Sequence, residues 1–70
     1  MTNPSFAARL FALRHQAGIT QTELATRAGV SQATVSQLES GKHSEPKWAT
    51  IQALAKALGL GVEEFTRSKP

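Results

Sequence analysis

The chain has no cysteine, no tyrosine and no aspartate, and only one tryptophan. Without thiols it can form neither a disulfide nor a thiolate-held zinc site, and two His with five Glu are a poor donor set for a metal cage. No metal and no cofactor are expected. Long apolar runs are also missing: the longest, Leu10 to Leu13, falls far short of the roughly 20 residues a membrane helix needs, and the N-terminus has no signal-peptide core. A cytoplasmic chain with no membrane partner is the expectation. The β-branched alternation that marks strands is absent too, so the fold should be all helix.

Seventy residues allow one domain, taken as 1–70 with a core over about 5–66 and short flexible termini. A chain of this length buries only about 60% of its surface on folding, and small domains commonly rely on a disulfide, a metal or a partner subunit. With the first two excluded, helix packing and a second copy of the chain remain. So small a domain also has little room for a substrate pocket, which argues against an enzyme. His15 and Ser5 suggest a base and a nucleophile only on paper, since nothing in the sequence orients the imidazole. His43, Ser44 and Glu45 are adjacent, whereas catalytic triads converge from separate elements, so they read as a polar loop.

Apolar residues recur at helical spacing, interrupted by Gly. A first helix is expected from about Pro4 to Ala17, with Phe6, Leu10 and Leu13 on one stripe, Phe11 widening it and Gly18 closing it. Residues 20–23, TQTE, fit the capping box, and Ile19 with Leu24 fit a hydrophobic staple, so a short second helix begins here and ends at Gly29. The pattern then repeats. Ser31 suits an N-cap, Val30 and Val35 a staple, and a third helix runs to about Ser40 before Gly41. The segment KHSEPK, 42–47, reads as a loop. A fourth helix follows over about 48–58, with Trp48, Ile51, Leu54, Ala55 and Leu58 on one face and Trp48 as a core anchor, closed by Gly59. Gly61 opens a short fifth helix with Glu63 and Glu64 in its first turn, where the helix dipole favours acids. The isolated Gly59, Gly61 pair follows no strand and is no dinucleotide motif.

Two short helices joined through a Gly-containing turn form a helix-turn-helix outline. Ala25 falls where the helices approach, Gly29 in the turn, and Val35 points back into the core. On the third helix, Val35 and Leu38 face inward, leaving Gln32, Ala33, Ser36 and Gln37 outward without a charge among them. A face kept only for solubility would carry Lys, Arg or Glu. Amides and hydroxyls suit the major groove instead: Gln can pair with the N6 and N7 of adenine, Ser with a donor or an acceptor, and Ala33 can touch a thymine methyl.

The stretch LRHQAGITQTELATRAGVSQATVSQLESGKHSEP, continuing as TIQALAKALGLGVEEF, resembles the Xre/Cro/C1-type helix-turn-helix family of phage repressors and their bacterial relatives. The resemblance runs from about Phe6 to Phe65. It implies an all-α, compact five-helix lambda-repressor-like DNA-binding domain, with the helix-turn-helix formed by helices two and three and the third helix in the major groove. It further implies base reading by Gln32, Ala33, Ser36 and Gln37, and DNA-backbone contacts from Thr20, Gln21, Ser31, Thr34, Lys42, His43 and Lys47. A structural ion pair of Arg14 with Glu39 is implied as well. Ala33 stands where the family often has a polar reader, Glu45 adds a negative charge beside the loop cations, and Lys47 stands where a small N-capping residue is common.

The net charge of +3 is modest. Each neutralised phosphate contributes a slope of roughly 0.9 in log K against log salt, so one chain with two or three such contacts binds poorly and two chains bind better. The expected partner is double-stranded DNA and the expected state a homodimer, with Leu60, Val62 and Phe65 the candidate interface, unless those side chains only close the core. The expectation is a sequence-specific transcription regulator, a repressor at a two-half-site operator, associated with the nucleoid when bound. The rivals are the antitoxin of a toxin-antitoxin operon, with a toxin as partner, a restriction-modification controller, and a protein-interaction module that never touches DNA. An acidic outer face would have favoured the last.

Overall fold

The computed structural model describes residues 5–42 and 46–66, which form five helices and no strand. They are α1 (Phe6–Ala17), α2 (Gln21–Ala28), α3 (Gln32–Ser40), α4 (Trp48–Ala57) and α5 (Glu63–Thr66). Pro4, expected in the first turn of α1, lies outside the described residues, as do His43, Ser44 and Glu45; Ser5 is the N-cap of α1, its side chain accepting from the Ala8 N–H.

Each boundary has a local cause. At α2 the capping box is complete: Thr20 Oγ1 accepts from the Glu23 N–H at 3.0 Å, and Glu23 Oε1 accepts from the Thr20 N–H at 2.8 Å. Two of the unsatisfied donors at the helix start are thereby satisfied. The other end of α2 closes on Gly29, whose φ of 73° lies in the left-handed region that residues bearing a Cβ rarely adopt. Gly29 N–H then donates to the Thr26 carbonyl and Val30 N–H to the Ala25 carbonyl at 3.0 Å. This pairing reverses the chain within a few residues and delivers Ser31 as the N-cap of α3, accepting from the Thr34 N–H at 3.1 Å.

The core draws on every helix. Leu10 from α1, Leu24 and Ala25 from α2, Val35 and Leu38 from α3, Leu54 and Ala55 from α4 and Phe65 from α5 are buried together with Ile19. Helix α2 packs against α3 and α4, α1 against α3, and α5 against α1 and α4. Ala25 stands in this core at 3% exposure, and its small side chain lets α2 approach its neighbours closely. Around the core, Phe6 stacks on Phe65 with ring centroids 5.3 Å apart, and Arg9 Nη1 donates to the Glu64 carbonyl at 3.2 Å. Both contacts tie the terminal helix α5 back to α1.

Two aromatic expectations need correction. Trp48 does not anchor the core: it is 54% exposed. Its angular position matches the Ile51, Leu54 and Leu58 stripe, but burial also needs an opposing surface, and the exposure of Trp48 shows that position in the stripe alone does not supply one. Phe11 does not widen the buried stripe of α1 either, being 48% exposed. Its ring lies against His15, with centroids 4.2 Å apart, and beneath the Arg14 guanidinium, whose Cζ is 5.5 Å from the ring centroid. Among the described residues, no helix is long and apolar enough to cross a membrane.

Candidate nucleic-acid interface

Helix α3 divides into two faces. Val35 and Leu38 are fully buried, and this seating holds the helix against α1 and α2. Gln32, Ala33, Ser36 and Gln37 are all exposed on the other side. Among the described residues the side chains of Gln32, Ser36 and Gln37 have no hydrogen-bond partner, so their donors and acceptors are available to a ligand. Thr34 is half-buried and its hydroxyl lies 2.8 Å from that of Ser31, so these two side chains brace the start of α3.

The residues expected to meet the DNA backbone occupy three places. Thr20 is exposed at the start of α2 but already holds the capping box. Gln21, the next residue, is half-buried and its Nε2 donates to Glu39 Oε1 at 3.1 Å. Lys42 and Lys47 are exposed on either side of residues 43–45. His43 lies outside the described residues. Lys47 is the N-cap of α4 and offers no side-chain cap, so that helix start lacks the satisfaction that Thr20 and Ser31 give to α2 and α3.

Arg14 and Glu39 meet beneath this surface. Arg14 Nε donates to Glu39 Oε2 at 2.6 Å and Nη2 to Oε1 at 3.0 Å, while Nη1 donates to the Ile19 carbonyl at 2.9 Å. The two side chains are 10% and 4% exposed. A bidentate, charge-assisted pair of this kind fixes orientation as well as distance. Donation to Glu39 holds the guanidinium pKa above its ordinary value, against burial, with the carboxylate charge adding to the rise. The link from Gln21 into this pair was not foreseen, because it depends on the last turn of α3 lying against the start of α2, which spacing along the chain does not encode.

The surface expected to pair two chains is less open. Phe65 is 6% exposed and committed to Phe6, so within one chain it closes the core. Leu60 and Val62 are half-buried.

A helix-turn-helix domain model matches residues 5–67. The chain belongs to the helix-turn-helix domain family, in its Xre/Cro/C1-type branch. It is 48% identical over 59 residues to the HTH-type transcriptional repressor RghR of Bacillus subtilis, a match covering 84% of this chain and 44% of that protein. The chain therefore spans less than half the length of this curated relative. Among solved structures, the P22 c2 repressor in complex with a synthetic operator superposes with a TM-score of 0.83 at 27% identity, covering 96% of this chain and all of that one. The restriction-modification controller protein C.AhdI of Aeromonas hydrophila gives a TM-score of 0.82 at 32% identity, covering 86% and 89% of the two chains. The family's five-helix, lambda-repressor-like fold is thus the fold of this chain.

Proposed function

We propose that this chain is a sequence-specific DNA-binding transcription regulator, a repressor that binds a two-half-site operator as a homodimer. The observation that carries this reading is the outer face of α3: Gln32, Ser36 and Gln37 are exposed, uncharged and, among the described residues, without a side-chain hydrogen-bond partner, on a helix whose opposite face is locked into the core. Such side chains offer paired donors and acceptors to base edges, and Ala33 between them leaves room for a thymine methyl. Thr20, Gln21, Ser31 and Thr34 at the starts of α2 and α3, with Lys42, His43 and Lys47 on the loop side, supply the sequence-independent contacts that set register. Likeness to RghR and to the operator-bound P22 c2 repressor supports the same reading. The half-buried Leu60 and Val62 are the proposed contact between two chains, with Phe65 supporting them from the core.

Selection of bound sequences from a random pool tests this directly. The expected product is an inverted pair of related half-sites about 34 Å apart, one turn of DNA. On that site Gln32→Ala or Gln37→Ala should cost about 1–3 kcal/mol while leaving random-sequence binding nearly unchanged. Equal losses on both DNAs would contradict base reading. The likeness to C.AhdI favours a second reading, a restriction-modification controller. A reporter placed downstream of the selected site separates the two, since a repressor only lowers its output.

A further inference from the structure

We propose that Glu39 is a positioning residue for phosphate binding, acting by orienting the side-chain amide of Gln21. The inference rests on reading the start of α2 and the outer face of α3 as the DNA-facing surface.

Gln21 opens α2, and its Nε2 donates to Glu39 Oε1 at 3.1 Å. That oxygen also accepts from Arg14 Nη2 at 3.0 Å, while Glu39 Oε2 accepts from Arg14 Nε. Arg14 is anchored in turn by its donation to the Ile19 carbonyl, just before the Thr20 cap. The carboxylate is therefore gripped by a guanidinium that is itself fixed, and Gln21 is the mobile partner that must conform.

An ionised carboxylate only accepts, so it selects one of the two amide orientations: nitrogen inward, towards Glu39. The amide nitrogen carries two hydrogens, and Glu39 engages one. The second stays on a nitrogen of fixed position, and phosphate oxygens, which also only accept, need such a donor. A glutamine without this contact would sample several rotamers and both amide orientations, and would lose that freedom on binding. The Arg14 charge neutralises Glu39, so the carboxylate can guide Gln21 without repelling a nearby phosphate. Because Arg14 comes from α1, Gln21 from α2 and Glu39 from α3, the phosphate contact and the reading face are held in one network.

The test uses the full chain and two variants, Gln21→Met, which keeps size but removes the donor, and Glu39→Gln, which removes the charge. Binding to a short random-sequence duplex is measured below the melting temperature of each protein. Each single variant should bind about tenfold more weakly, the scale of one charge-assisted hydrogen bond. The double variant should bind no more weakly than either single one. Losses that multiply, or a Glu39→Gln variant that binds like the parent, overturn the proposal.

A second readout needs no DNA and no Glu39 variant. In the free parent protein the Gln21 side-chain amide should give dispersed, ordered nitrogen–proton signals, which a merely stabilising ion pair would not produce. An averaged amide in a parent that binds DNA overturns the proposal alone. An ordered amide in a parent that binds no duplex overturns the DNA reading instead, and with it the role assigned to Glu39.

Discussion

Arg14 brings a full charge into the junction of three helices, and it is tolerated there because every direction it faces is occupied: two oxygens of Glu39, the Ile19 carbonyl and the Phe11 ring. Removing a partner from a pair this buried leaves an uncompensated charge. Arg14→Ala should therefore destabilise the chain by about 3–5 kcal/mol, whereas an exposed pair would cost about 1 kcal/mol or less. A urea midpoint that falls steeply with an unchanged slope is the expected outcome; a midpoint that hardly moves would contradict the burial. Trp48 offers the opposite case. Half of its surface is in water, so Trp48→Ala should shift the midpoint by no more than about 1 kcal/mol, despite the size of the side chain lost. As the chain's only indole, it should also emit at the wavelength of a water-exposed tryptophan.

Helix ends govern the next scale. The Glu23 carboxyl is held below its ordinary pKa, chiefly because it accepts from the Thr20 backbone N–H; desolvation opposes this, and the Thr20 side chain and the Arg27 charge add to the lowering. A folded-state pKa lower than the unfolded one gives stability that is present above about pH 4.3, the unfolded value, and is lost as pH falls through the folded value. Glu23→Gln keeps a capping geometry but cannot titrate. Its melting temperature should lie below that of the parent at neutral pH, and the gap should close in acid. At the other end of α2, a Cβ on Gly29 would meet nothing within 4 Å, so Gly29→Ala should cost only the left-handed backbone strain, about 1–2 kcal/mol. These ends were legible in the sequence because caps are local: Thr20, Ser31 and Gly29 act through neighbours a few residues away. The outward set Gln32, Ala33, Ser36 and Gln37 was legible for a related reason, since helical periodicity fixes which residues oppose Val35 and Leu38. Trp48, Phe11 and the bond from Gln21 to Glu39 were not, because each depends on whether another element lies opposite, which no local pattern encodes.

For the molecule as a whole, charge limits what one copy can do. The net charge is +3, Arg14 is engaged by Glu39, and Arg9 by the Glu64 carbonyl. Lys42 and Lys47 remain exposed beside the proposed interface, so on the proposed reading one chain would neutralise only a few phosphates. Each contributes roughly 0.9 to the dependence of log K on log salt, giving one chain a slope of about 2–3 and a pair of chains about twice that. A homodimer on two half-sites should therefore show a steeper salt dependence than the same protein on one half-site, and its isotherm should sharpen with protein concentration. Lys47→Ala should weaken cognate and random DNA alike and lower the slope by roughly 1 per bound chain. Titrations at several salt concentrations, on duplexes carrying one or two half-sites, measure all of this together. Equal slopes and equal affinities on the two duplexes would mean that one chain acts alone, and that the half-buried Leu60 and Val62 serve only their own core.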